Sequence, residues 1–134
     1  MIGLVALLAA TACTSGSEFE PPLCPAQLPA VAEIRIEEQG ATLWKTTGEP
    51  PCADFRPTLA DVRSFFRGAK SADRRDVHYT LSESGCVARG AVRFADGSRG
   101  RWQVDRFALG WLDRAGRPRL TLYCPQCHRR PWRQ

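Results

Sequence analysis

The chain has 134 residues, 43% apolar and 25% charged, with six cysteines, one methionine and a formal net charge of +5. That length leaves room for one domain with its own core. The longest apolar run, Ile2 to Ala12, falls short of the roughly 20 residues a bilayer-crossing helix needs, and no later segment approaches that length.

The run opens "MIGLVALLAATACTSGSEFEPP" and has the length of the apolar region of a secretory signal. It ends in Ala10-Thr11-Ala12-Cys13, which resembles the lipobox of bacterial lipoproteins. Ala10 stands where leucine is usual, and no Lys or Arg precedes the run. The resemblance implies a signal peptide over residues 1–12 and lipid attachment at Cys13. A diacylglyceryl unit plus an N-acyl chain exceeds the two signals that stable anchoring requires. Thr14 in the next position implies the outer membrane, facing the periplasm. The alternative is an ordinary signal cut near Ala12, which leaves Cys13 as a plain thiol.

Residues 13–31 are polar, rich in proline and without periodicity, the composition of a flexible tether, so the globular domain is expected over 32–134. "AEIRIEE" alternates Ile34 and Ile36 with charge and predicts a strand. Gln39-Gly40 is expected to turn it back into "TLWKTT". Thr58 and Asp61 form a capping-box pair ahead of a helix whose Leu59, Val62, Phe65, Phe66 and Ala69 share one face. Four strands are then expected. "VHYTLS" leaves His78 opposite Val77, Tyr79 and Leu81, and "VARGAVRFA" leads to a turn at Asp96-Gly97-Ser98. "GRWQVDRFALGWL" changes parity near Asp105-Arg106, where a bulge or a bend would return both apolar pairs to the core. After a turn at Arg114-Ala115-Gly116, "RLTLYC" closes the set. The expected fold is α+β: a small disulfide-braced domain ordered β-β-α and then an antiparallel meander of about four strands.

Near the C-terminus, Cys124 to His128 spell Cys-Pro-Gln-Cys-His, a string that serves haem attachment, zinc binding and thiol redox exchange. A haem reading lacks a methionine ligand, since Met1 is the sole methionine. A closed zinc site needs four ligands and there is no second Cys-x-x-Cys; an oxidising envelope also favours disulfides over thiolates. Cys-Pro-x-Cys resembles the glutaredoxin active-site string, but that string opens a helix, and Pro131 prevents a long one here. The favoured reading is a structural disulfide framework with no cofactor and no metal. With Cys13 lipidated, five cysteines remain. Cys24 is then the natural odd one out, and Cys52 and Cys86 are the expected partners of Cys124 and Cys127.

Charge is divided along the chain. Residues 13–85 hold eight basic and eleven acidic side chains, whereas 86–134 hold eleven arginines and only Asp96, Asp105 and Asp113. Such a half can solvate exposed strand faces or meet an anionic envelope component or an acidic envelope protein; an exported chain has no reason to meet nucleic acid. Trp132, beside Arg129 and Arg130, is the expected partner contact. With its lipobox and size, and with "CADFRPTLADVRSFF" and "LTLYCPQC", the chain is similar to small envelope lipoproteins of Gram-negative bacteria. That resemblance implies a non-enzymatic binding or accessory module, of inhibitor or immunity type by analogy. The rival expectation is a redox, metal or haem protein acting through Cys124, Cys127 and His128.

Overall fold

Along Cys86–Phe94 the side chains alternate between two environments: Cys86, Ala88, Val92 and Phe94 are buried, while Arg89, Ala91 and Arg93 are partly exposed. A period of two with arginine on one side is what a strand shows when only one sheet face is covered. The computed structural model extends that asymmetry to a whole sheet. It describes Gly3 and residues 12–132, so the expected signal peptide lies, Gly3 and Ala12 apart, outside the described residues.

The described elements are β1 (Cys24–Pro25), β2 (Val31–Thr42), α1 (Leu59–Gly68), β3 (Lys70–Ala72), α2 (Arg74–Thr80), β4 (Cys86–Phe94), β5 (Arg99–Asp105), β6 (Leu109–Asp113) and β7 (Leu120–Tyr123), with a short 3-10 turn at Cys52–Asp54. All seven strands form one antiparallel sheet in the order β1-β3-β7-β6-β5-β4-β2. The chain is thus a small single α+β domain, mostly sheet, with two helices and disulfides.

Helix α1 starts as its residues dictate. The Thr58 hydroxyl accepts from the Asp61 N–H at 3.2 Å, and an Asp61 carboxylate oxygen accepts from the Thr58 N–H at 2.8 Å. Val62, Phe65, Phe66 and Ala69 face inward as expected, but Leu59, in the first turn, is 52% exposed. The helix lays its phenylalanines on the inner face of the sheet. Phe66 meets Phe94 and Trp102 edge-on at 6.3 and 6.5 Å between ring centres. Gly90 makes room for this: a Cβ there would strike the Arg35 carbonyl and crowd the Trp102 ring.

Several expectations are corrected. Gln39-Gly40 does not turn the chain; β2 runs through it as a bulge, with two residues, Gln39 and Gly40, set against Ala88 alone on β4 between Glu38↔Arg89 and Ala41↔Val87. Gly40 takes φ +66° and donates its N–H to the Phe55 carbonyl, which explains glycine without any reversal. "VHYTLS" begins within helix α2 rather than a strand. The Asp73 carboxylate caps it by accepting from the N–H groups of Arg75 and Asp76, and only one of its apolar residues, Val77, needs a core, while Tyr79 is 76% exposed. "GRWQVDRFALGWL" is two strands joined by a tight turn, so its change of parity is a reversal and not a bulge. The four-strand meander β4–β7 therefore exists, but with different members.

Residues 13–31 also differ from a flexible tether. Thr14 pairs with Leu23 through N–H···O bonds of 2.7 and 3.3 Å, Pro21 and Leu23 are buried, and β1 adds an edge to β3. Trp132, the expected partner contact, is 5% exposed and packs at 5.8 Å from Phe55 and 5.9 Å from Phe65. It closes the core beneath α1 because the aromatic cluster offers more apolar contact than the arginine-rich tail. Trp132→Ala is expected to destabilise the fold by about 3–5 kcal/mol, lowering the urea midpoint. Trp44→Ala, at a tryptophan 45% exposed, is expected to leave that midpoint within about 0.5 kcal/mol.

Candidate functional site

The C-terminal string closes on itself: Cys124 is bonded to Cys127, Cys52 to Cys86 and Cys13 to Cys24, so every cysteine is paired. The expected candidates Cys52, Cys86, Cys124 and Cys127 all lie in bridges, but not with the expected partners, and Cys24 is not the odd one out. Sheet order gives the reason. Cys86 opens β4 and Cys124 follows β7, which lie three inter-strand steps apart. At about 4.8 Å per step that is about 14 Å, twice the Cα separation a disulfide tolerates.

Cys124 is buried and its N–H donates to the Ala108 carbonyl; Cys127 is half-buried. No helix follows them, and His128 is exposed with Nδ1 3.2 Å from the Pro125 carbonyl. In this bridged form neither sulfur can ligate zinc or carry a haem thioether. Among the described residues, no group of three or more His, Cys, Asp and Glu is placed to hold a metal ion.

A buried polar cluster at the Cys86 end of the sheet was harder to foresee. Asp105 ends β5, and its carboxylate accepts three backbone N–H bonds: from Phe107 at 2.8 Å, Leu109 at 3.1 Å and Ser84 at 2.9 Å. Burial pushes this carboxyl up to about 7, against the opposing pull of those three donors. The neighbouring Arg106 turns the other way. Its guanidinium donates to the carbonyls of Pro50 and Pro51 at 2.7 and 2.8 Å and pairs with Glu49 at 3.4 Å, with both charged side chains under a tenth exposed. The Ser84 hydroxyl makes a close hydrogen bond to the same Glu49 oxygen and accepts from the Cys86 N–H. Ser84 is 1% exposed, and the cluster braces the loop of residues 43–51 against the sheet. The cue in sequence was Asp105-Arg106 amid apolar neighbours.

The accessible chemistry lies on the uncovered sheet face. Register places Glu33, Arg93 and Arg99 in one cross-strand row, Arg35, Ala91, Arg101 and Asp113 in the next, and Glu38, Arg89, Gln103 and Trp111 in a third. Arg93 pairs with Glu33 at 3.3 Å, Arg89 with Glu38 at 3.4 Å, and Arg101 with Glu37 from the bulge. Arg119 grips Asp113 through two bonds of 2.8 Å and lies 3.9 Å over the Trp111 ring, holding the Asp113 carboxyl below the usual carboxylate range. Arg35 and Arg99 make no ion pair among the described residues, and with Arg93 they border a groove of about 280 Å³ beside the small Ala91. Of the expected contact residues, Arg129 and Arg130 are exposed but lie in the C-terminal turn, away from these rows. No family model matches the chain, and no curated protein or solved structure is similar to it.

Two variants test the buried cluster. A carboxyl raised on folding stabilises fully below about pH 4, and that contribution is lost as pH rises through about 7. The urea midpoint is therefore expected to fall across this window. Asp105→Asn should flatten the fall while costing about 1–3 kcal/mol at low pH, because one of the three N–H donors then faces an amide donor. Arg106→Ala, which strands the Glu49 carboxylate, is expected to cost about 3–5 kcal/mol, read as a lower melting temperature.

Proposed function

We propose that the protein is an exported, non-enzymatic binding module of the bacterial envelope that engages an acidic surface of an envelope protein with the open face of its sheet. The observation that carries this reading is the arginine pattern of that face. Arg35, Arg93 and Arg99 cluster around one groove with a single carboxylate, Glu33, among them, on a rigid antiparallel frame. Planar guanidinium groups held at fixed strand spacing suit carboxylates arranged on a partner, and an inhibitor or immunity-type role follows by analogy alone. Three disulfides in a chain this small suit an oxidising compartment.

The test is photo-crosslinking from position 103, on this face, in living cells. A discrete adduct is expected to disappear in Arg35→Glu/Arg99→Glu, a double variant that breaks no ion pair and should keep its melting temperature. An adduct that survives charge reversal, or one formed only from position 44 in the exposed loop, sinks the proposal.

Lipid anchorage at Cys13, facing the periplasm from the outer membrane, remains a second reading, favoured by Ala10-Thr11-Ala12-Cys13. A thioether on the Cys13 sulfur and the Cys13–Cys24 bridge exclude one another, whereas the other two bridges are compatible with either state. Anchored protein should incorporate palmitate, lose the label in Cys13→Ala, and show one alkylatable thiol at Cys24. A secreted form should show neither label nor free thiol. The redox alternative rests on the Cys124–Cys127 bridge, which is the oxidised form of a Cys-x-x-Cys pair; it requires catalytic turnover of a substrate disulfide or dithiol that Cys127→Ser abolishes.

A further inference from the structure

A second cationic site lies away from the sheet's open face. Helix α1 and the stretch 25–31 enclose a groove of about 520 Å³, within the range of about 300–1,000 Å³ that small-molecule pockets occupy. Leu28, Val31 and Phe66 supply apolar lining, and Arg63, Arg67 and Lys70 supply charge. No lining residue is acidic. On the open face Arg89, Arg93, Arg101 and Arg119 each hold a carboxylate, but here no cation does. Among the described residues Arg63 reaches only the Ala32 carbonyl at 3.4 Å, Arg67 only the Ser64 hydroxyl at 3.2 Å, and Lys70 makes no ion pair. Arg63 and Arg67 stand four apart on the helix, where like charges repel by a few tenths of a kcal/mol. A helix C-terminus welcomes cations in its last turn, which accounts for Arg67 and not for Arg63 in the middle.

We propose that this groove binds a single-chain amphiphile with an anionic head, the head between Arg63, Arg67 and Lys70 and the chain over Leu28, Val31 and Phe66. The charge pattern selects the ligand class. Three cations without counter-charges beside an apolar lining complement a molecule that is anionic at one end and apolar along the rest. The site also lies close to Cys13, where lipid attachment would bring the chain to the bilayer, since its wall begins at Pro25, two residues past Leu23, which pairs with Thr14. This inference is independent of the open-face proposal and shares no residue with it.

Titration calorimetry of the mature protein, with amphiphiles kept below their micellar concentrations, tests the site. Dodecyl phosphate is expected to bind with one-to-one stoichiometry. Laurate tests whether a free carboxylate serves as well as a lipid-type phosphate, and tighter binding of either one identifies the source. Inorganic phosphate and dodecyl maltoside are expected to bind at least about tenfold more weakly, since each lacks one half of the recognition. Arg63→Gln/Arg67→Gln/Lys70→Gln, at three exposed positions, the first two on α1 where glutamine preserves helix propensity, should weaken dodecyl phosphate by about tenfold or more. Leu28→Asp should do the same, and Arg99→Gln on the open face should leave affinity unchanged. The inference is overturned by equal affinity for dodecyl maltoside, by full binding of inorganic phosphate alone, by wild-type affinity in the triple variant, or by no binding of either anionic amphiphile.

Discussion

The fold depends on the single carboxylate of Asp105. It gathers the N–H groups of Phe107 and Leu109 and so closes the turn between β5 and β6, and it takes the Ser84 N–H and so fixes the approach to β4. Ala108 then adopts φ +59°, a conformation that ordinarily falls to glycine, and its carbonyl receives the Cys124 N–H. The end of β5, the start of β6 and the approach to β4 thus meet at one buried side chain. Burying it raises the carboxyl towards neutrality, yet without it three backbone donors would be left unsatisfied in the interior. The adjacent Arg106 extends the cluster to Glu49 and the Pro50 and Pro51 carbonyls, so the loop before the 3-10 turn is tied to the same point as the sheet.

From that anchor the two sheet faces diverge. The inner face receives α1, the Phe55–Phe65–Trp132 aromatic group and Trp102, whose indole N–H finds the Ala91 carbonyl at 2.9 Å. Among the described residues no layer covers the outer face, which carries a lattice of arginines and carboxylates instead. Individual surface pairs of this kind contribute little to stability, so the lattice is better understood as spacing charge than as holding the sheet together. The disulfides act elsewhere: Cys52–Cys86 fastens the 3-10 turn to β4, and Cys124–Cys127 ends the chain's last strand in a closed loop.

Helix α1 and the turns at 96–98 and 114–116 were legible because independent local signals agree. Thr58 and Asp61 cap a stretch whose apolar residues already follow the helical period, and Gly97 and Gly116 sit at φ +86° and +71°. Legibility failed where the deciding partner is distant or belongs to another period. "VHYTL" alternates like a strand, but the Asp73 side chain starts a helix there. Gly40 signals a reversal, but Phe55 uses its N–H in a bulge. The turn at Asp105–Ala108 has no glycine to announce it. Cysteine pairing required the strand order, and Trp132 required knowing that an aromatic vacancy lay under α1. The arginines of the open face were visible as a basic half, though not as rows.

Those rows resolve the uneven charge of the sequence. Residues 13–85 are net acidic and 86–134 net basic, and the fold brings them together edge to edge: Glu33, Glu37 and Glu38 all lie on β2, which pairs with β4 and faces the arginines of β4 and β5. Chain halves of opposite sign thus neutralise one another by strand pairing, and the positive charge left over is placed by the ends of that register. Arg99 remains because Glu33 is taken by Arg93, and Arg35 remains because its row partner on β4 is Ala91. On the other side, Arg63, Arg67 and Lys70 have no acidic strand opposite them, since their neighbour is the uncharged stretch 25–31. In both grooves the described residues offer these cations no ion-pair partner, and there an external anion gains the most.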